Sequence, residues 1–314
     1  MAVSGSKNYS ITASTIIAGA LRKIGIYDEA DAVDGDATST ALISLNLMVK
    51  EWVADGIDLF LRTESILFLQ PNTSSYNLST AEITDTIVLE TTLSAAEAAA
   101  QTVISLTTST GSTAADRIGI KLDDNTIHWT TIVSVDSATQ VTITTSTASA
   151  AASGNKVYIY TTKSDRPQKI LYAFRRDINN FDTEIALIGE NEYQSQSNKS
   201  SDGPPVEIWY NPQGNQAVGK LRVWPDNGGK NWDKIHLICQ HLPDDFDVVG
   251  NSPDFPIEWG NALIWGLAAE IGSEYGLTER EINRNWTIAE VKKQKMLDYD
   301  GENASVRFSL DLGR

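Results

Sequence analysis

The sequence is poor in the residues from which most catalytic and metal centres are built. It contains one cysteine, Cys239, and three histidines, His128, His236 and His241. A single cysteine excludes a disulfide framework within the chain and fits assembly in a reducing cytoplasm. His236 and His241 would point to opposite faces of a regular strand, which makes them poor joint ligands for a metal ion. We therefore expect no metal, no cofactor and no catalytic residue.

Basic residues are also scarce, since 25 Lys and Arg stand against 41 Asp and Glu and give a formal net charge of -16. Tight binding to phosphates is driven by Lys and Arg that displace counterions, so this balance argues against a protein that grips nucleic acid. It suits a wall past which double-stranded DNA slides without sequence-specific binding.

Long apolar runs are missing as well. The longest one, from Ala262 to Ala269, is interrupted at Glu270, and the first residues, MAVSGSKNYS, have no basic start followed by an apolar stretch. We therefore expect no membrane-spanning or membrane-targeting segment.

Apolar residues with helical spacing occur near both ends of the chain. Two stripes near the start predict a helical hairpin; they are Ile16, Ile17, Ala20, Leu21 and Ile24, and then Leu42, Leu45, Met48, Val49 and Trp52. Two stripes after Phe255 predict a second helix pair; they are Trp259, Leu263, Leu267 and Ile271, and then Ile282, Trp286, Ala289 and Met296. Thr278 and Glu281 have the spacing of a capping box at the start of the last helix.

Alternating patterns fill the middle of the chain. Residues 59–78 alternate and then turn at QPNTSS, which predicts a β-hairpin. Residues 84–163, named the insert segment here, are rich in Thr, Ser, Ala, Val and Ile, with alternating runs near 87, 103, 117, 127, 141 and 156. Such closely spaced strands predict a small antiparallel barrel or sandwich. Further strands are predicted near 169, 184, 205, 219 and 234, with a short helix from Gly189.

These patterns together predict an α+β fold. The expected parts are a helical core, made of the N-terminal helix hairpin and the C-terminal helix pair, an antiparallel β-sheet, and an inserted all-β barrel or sandwich domain. The expected domains are a discontinuous core domain at 1–83 and 164–314, the insert segment at 84–163, and an extended tail at 299–314. A chain of 314 residues is long enough for two such cores.

Three stretches outside the insert segment carry an ordered set of motifs. Residues 16–57, IIAGALRKIGIYDEADAVDGDATSTALISLNLMVKEWVADGI, join a helix ending in Leu-Arg-Lys-Ile-Gly to one ending in Trp-x-x-x-Gly. The others are GENEYQSQSNKSSDGPPVEIWYNP with GKLRVWP, within 189–225, and FPIEWGNALIWGLAAEIGSEYG, 255–276. In this order they resemble the packaged-DNA-stabilisation, or tail-accessory, family of head-to-tail adaptors in podovirus-like phages. The insert segment has no counterpart in the shorter members, so the resemblance implies no role for it.

The resemblance implies a structural virion protein that is not an enzyme. Its members form a ring of identical copies, usually twelvefold, that docks under the portal protein and offers sites to tail nozzle or tail fibre proteins. Such a ring retains packaged DNA and serves as a conduit for its ejection. It is made in the host cytoplasm and located in the tail or neck of the virion.

Two other functions remain open. One is another tail ring or nozzle protein. The other is a virion-associated peptidoglycan-cleaving enzyme, because carboxylate pairs such as Glu184 with Glu190 are the groups that cleave glycosides.

Two groups of residues are candidates for contacts with partners. In the tail NASVRFSLDLGR, one side of an extended strand would carry Val306, Phe308, Leu310 and Leu312. That strand is predicted either to add to a sheet edge of the portal or a neighbouring copy, or to complete a sheet of its own chain. In the insert segment, a surface for a host glycan or a fibre is predicted at Trp129, Tyr158 and Tyr160.

Overall fold

The computed structural model describes residues 8–28, 34–55, 61–177, 180–213, 218–227 and 233–299. The α-helices in these ranges are α1 (Ala13–Lys23), α2 (Gly35–Ala54), α3 (Glu190–Ser195), α4 (Gly260–Ile271) and α5 (Glu279–Tyr299). The first strands are β1 (Arg62–Phe68), β2 (Ser75–Asn77), β3 (Ile83–Thr84), β4 (Leu89–Thr92), β5 (Val103–Ser105), β6 (Arg117–Lys121), β7 (Ile127–Ser137), β8 (Gln140–Ile143) and β9 (Lys156–Tyr160). The remaining strands are β10 (Lys169–Arg176), β11 (Asp182–Glu184), β12 (Ala186–Leu187), β13 (Glu207–Asn211), β14 (Lys220–Trp224) and β15 (Lys234–Gln240). The fold is mixed α/β with several antiparallel sheets.

The chain divides into two compact units. The helical unit is Met1–Leu61 with Leu242–Arg314, and the sheet unit is Arg62–His241. The expected core domain of 1–83 and 164–314 is thus divided between both units, and the insert segment lies within the sheet unit. The physical reason is strand pairing, because β15 hydrogen-bonds both to β1, which precedes the insert segment, and to β10, which follows it.

In the helical unit, α1, α2 and α5 pack on α4. Leu263 and Leu267 of α4 are fully buried, as the helical spacing predicts. Gly266 permits the close approach of α2, since a Cβ at this position would lie 2.6 Å from the Trp52 ring. The predicted capping box of α5 is supported by the hydrogen bond that the Thr278 amide donates to Glu281.

The sheet unit contains two sheets built from strands outside the insert segment. One has the order β11-β10-β15-β1-β3 and the other β12-β13-β14-β2. The prediction of a hairpin at 59–78 is wrong, because β1 and β2 do not pair with each other. β1 pairs with β15 and β3, whereas β2 pairs with β14. Leu67 of β1 and Tyr76 of β2 are buried in the same apolar cluster, so the chain crosses from one sheet to the other to fill it.

The insert segment forms a six-stranded antiparallel half-barrel with the order β4-β9-β6-β7-β8-β5. A bridge between Leu93 and Leu106 links the ends that follow the two outer strands. Its inner face is an apolar cluster that includes Ile104, Ile118, Ile120, Val141, Val157 and Ile159. Since successive side chains alternate across a strand, Tyr158 and Tyr160 lie on the outer face of β9.

Candidate interaction surfaces

The aromatic residues predicted as a contact surface of the insert segment are buried, fully for two of the three and partly for the third. Tyr158 and Tyr160 are 0% exposed, and Trp129 is half-buried. Their ring centroids lie 5.0, 6.2 and 4.8 Å from that of Phe68 on β1, respectively. The prediction of an exposed surface is therefore wrong, because these rings attach the outer face of the half-barrel to the five-stranded sheet.

Gly119 makes room for this packing. It lies opposite Trp129 in the pairing of β6 with β7, and a Cβ at this position would lie 2.6 Å from the indole ring. The ring therefore covers the bare backbone of β6 and reaches Phe68 and Tyr160. A larger residue at 119 would push it out of the cluster.

Ion pairs surround the aromatic cluster and involve every basic residue of the insert segment. The pairs are Arg117 and Lys163 with Glu82, Lys121 with Asp233 at 2.6 Å, and Lys156 with Glu90 at 3.3 Å. Lys234 of β15 joins Glu90 at 2.7 Å. The Tyr158 hydroxyl donates to Asp233 at 3.0 Å, and burial followed by this carboxylate raises the pKa of the phenol. The insert segment is thus fastened to the sheet by charges as well as by rings.

The rest of the insert surface carries hydroxyls, carboxylates and some exposed valines, but no cation. Asp136, for example, accepts from Ser134 and Thr142, and these hydrogen bonds lower the pKa of its carboxyl. Val103 and Val133 are 41% and 54% exposed. A surface of this kind lacks the cations that drive tight binding to phosphates. It can form hydrogen bonds and apolar contacts with an uncharged or basic partner.

A serine, an aspartate and a histidine meet where the chain enters and leaves the insert segment. Ser65 Oγ donates to Asp85 at 2.5 Å and lies 3.5 Å from Nε2 of His241, and Ser164 also donates to Asp85. In a hydrolase triad the carboxylate orients the histidine, whereas here it binds two serines. Ser65 is moreover 0% exposed. The cluster connects the two chain ends of the insert segment, and the serine that a triad would use as nucleophile is closed to a substrate.

Burial also governs the other reactive side chains of the sheet unit. It raises the pKa of Cys239 to about 12, so the thiol stays protonated at neutral pH. It lowers the pKa of His236, whose Nδ1 lies 2.6 Å from Glu64 and whose ring stacks on Phe174 at 4.7 Å. The ring of His128 contacts a backbone carbonyl through Nε2 at 3.2 Å.

Two general features are absent from the part of the chain that the structure describes. No set of three or more His, Cys, Asp or Glu side chains there is arranged to hold a metal ion. None of the helices described is both long enough and apolar enough to cross a membrane.

The helical unit has a groove between α2, α4 and α5. It is lined by Met48, Glu51, Trp52, Gly266, Glu270, Trp286, Ala289, Glu290 and Lys293. Burial, followed by the nearby Glu51, raises the pKa of Glu270. Lys293 pairs with Asp55 and lies 5.5 Å above the Trp52 ring. The groove therefore combines carboxylates with indole rings.

Apolar side chains are also exposed on the outward faces of two helices in this unit. On α2, Ile43 is 63% and Leu47 66% exposed, and on α5, Val291 is 52% exposed. These side chains are solvent-exposed within a single copy.

The sequence patterns did not indicate the residues that attach the insert segment to the rest of the sheet unit, which are Phe68, Glu82, Asp85 and Asp233. A signal was available in KVYIY, where four successive apolar or aromatic residues follow the lysine, because such runs are typical of strands buried on both faces. The tail residues Val306, Phe308, Leu310 and Leu312 lie outside the described residues, so their docking stays a prediction.

No known protein family matches this sequence, and no curated protein is significantly similar to it.

Proposed function

We propose that this chain is a non-enzymatic ring subunit of a phage virion, a head-to-tail adaptor that joins the portal protein to the tail. The ring retains packaged DNA and provides a conduit for its ejection. The resemblance to the tail-accessory family supports this proposal. Its three stretches correspond to α1 with α2, to α3 with β13 and β14, and to α4.

The observation that carries the proposal is the pair of exposed apolar faces on the helical unit. A ring of identical copies needs two different patches on each subunit, because each copy contacts its neighbours through a heterologous interface. We take the α2 face with Ile43 and Leu47 and the α5 face with Val291 as these two patches, on helices that share one apolar core.

The charge distribution supports the conduit. The net charge of -16 repels DNA, and the basic residues of the insert segment are all engaged in ion pairs with carboxylates. DNA passing such a wall would have few cations to hold it.

The finer architecture belongs to the same proposal. The insert segment is an inserted barrel domain of the adaptor, closed at the bridge between Leu93 and Leu106. Its attachment by Phe68 and by ion pairs supports a fixed position on the five-stranded sheet, with the valine and hydroxyl surface available to nozzle or fibre proteins. The segment from Val306 to Leu312 adds a strand to the portal or to a neighbouring copy.

A second candidate function, cleavage of peptidoglycan, is favoured by the groove of the helical unit. A glycoside hydrolase needs a carboxyl group with a raised pKa as general acid and a second carboxylate nearby. Glu270 and Glu51 have these properties, beside Trp52 and Trp286. Loss of turbidity of purified cell wall that disappears in Glu270→Gln, but persists in Glu274→Gln, would establish this activity.

The adaptor proposal is tested by mixing the purified chain with the portal protein of the same particle. Electron microscopy should show closed rings of the chain on the portal. A variant lacking residues 85–162 should still form them, because the ring contacts proposed here lie in the helical unit. A chain that stays monomeric in the mixture would contradict the proposal.

A further inference from the structure

The outward faces of α2 and α5 carry opposite charges around their exposed apolar residues. On α2, Leu47 lies between Asp36 and Glu51. On α5, Val291 lies between Arg280 and Lys295. All four charged side chains are exposed, and none of them forms an ion pair with a described residue.

The two faces have the same spacing along their helices. Asp36 precedes Leu47 by eleven residues and Glu51 follows it by four. Arg280 precedes Val291 by eleven residues and Lys295 follows it by four. At a rise of about 1.5 Å per residue, the first charge of each face lies about 16 Å before the apolar residue along the helix axis. The second charge lies about 6 Å after it.

Leu47 and Val291 point away from the core of their own unit, and Glu51 lies where the α2 face borders the groove. Leu47 is two residues beyond the buried Leu45, and Val291 is two residues beyond the buried Ala289. At about 100° per residue, each exposed side chain is rotated about 200° from a buried one. The two faces are therefore open to a partner outside the unit.

We propose that α2 of one copy packs parallel to α5 of the next copy, with Leu47 against Val291. In this register Asp36 meets Arg280, and Glu51 meets Lys295. Opposite charges at both ends of an apolar contact fix the direction and the register of two helices. This inference rests on the proposed function, since it names the contact by which the ring closes.

Other charged residues of these faces are Lys50, Asp298 and Arg284. Lys50 of α2 is neutralised by Asp245 of the same copy at 2.6 Å. Asp298 of α5 lies beyond Lys295 and accepts from Gln294 at 3.0 Å. Arg284 adds a further positive charge to the α5 face and would meet Thr40 of α2.

Cross-linking tests the contact directly. In the full chain, Leu47→Cys and Val291→Cys together should give a ladder of disulfide-linked copies under mild oxidation, because each copy carries one partner of each bond. The native Cys239 is 0% exposed and therefore should not form a disulfide with another copy. A mixture of the two single variants should stop at dimers.

The outcomes separate this inference from the proposed function. If sedimentation shows rings but the cysteines at positions 47 and 291 form no cross-link, the inference is overturned and the adaptor proposal still stands. A cross-link from Leu47→Cys to the portal protein would assign the α2 face to another partner and also overturn it. A chain that never assembles would overturn both.

Charge reversal provides a second test. Glu51→Lys should weaken association of copies about tenfold, because an attraction with Lys295 becomes a repulsion. Adding Lys295→Glu to the same chain should restore association to within about threefold of the wild type. Glu274→Lys, an equal charge change in the exposed loop after α4, is the control and should have no effect. Equal weakening by Glu51→Lys and Glu274→Lys, or no rescue, would contradict the register.

Discussion

Replacing Phe68 by alanine tests whether the aromatic cluster holds the insert segment to the sheet. Phe68 is 2% exposed, and its ring contacts those of Trp129, Tyr158 and Tyr160. Removing a buried phenylalanine ring costs about 3–5 kcal/mol. Each aromatic pair adds about 0.5–1.5 kcal/mol beyond area burial. Because three pairs are lost, we expect the free energy of unfolding to fall by the upper part of that range, about 4–5 kcal/mol.

The measurement is urea denaturation of the full chain, followed by circular dichroism of the β structure. Phe181→Ala is the matched control, since Phe181 lies in the same unit but is 70% exposed, and it should change the free energy by no more than about 0.5 kcal/mol. Limited proteolysis should also cut Phe68→Ala earlier at the ends of the insert segment. If Phe68→Ala and Phe181→Ala differed by less than about 1 kcal/mol, the cluster would not be the attachment described here.

Two further substitutions test packing and charge. Gly119→Ala should lower the free energy of unfolding, measured in urea, by about 1–3 kcal/mol, because the new methyl displaces Trp129. Gly35→Ala is the control: its new methyl enters open space and should raise the free energy of unfolding by up to about 1 kcal/mol. Asp226 has a raised pKa, through burial and then the carboxylate of Asp202, so its contribution to stability is lost as pH rises through that pKa. Asp226→Asn should therefore gain in melting temperature relative to the wild type as the pH rises from about 4 to about 7. If the difference in melting temperature between the two proteins stayed the same over this range, Asp226 would not titrate as described.

Local patterns in the sequence were enough to place most helices and strands. The stripe from Ile16 to Ile24 and the one from Leu42 to Trp52 fall on α1 and α2. Alternating runs such as RIGIKL and KILYAFRR fall on β6 and β10. These elements are specified by neighbours a few residues away, which is the information that periodicity contains.

Pairing over long sequence distances was not predictable in the same way. The run at 59–78 has a turn and two alternating flanks, yet β1 pairs with β15, about 170 residues later, as in Ile66 opposite His236. A turn predicts that two strands can pair, whereas the apolar cluster they must fill decides which strands do.

The candidate contact residues show the same limit. Trp129, Tyr158 and Tyr160 are on the outer face of the half-barrel, where alternation alone predicts exposure. Their burial depends on Phe68, and on carboxylates of Glu82 and Asp233 outside the insert segment. The exposed faces of α2 and α5 were likewise not indicated by periodicity, because Ile43, Leu47 and Val291 lie outside the apolar stripes that mark the buried sides of these helices.

The mass of the assembly is the most direct test of the ring. Light scattering on the chain purified together with the portal should give a complex that contains a fixed multiple of the 34.3 kDa subunit, with copies in contact through α2 and α5. The same multiple should be lost in Glu51→Lys and regained with Lys295→Glu. A single 34.3 kDa species under all these conditions would contradict the account.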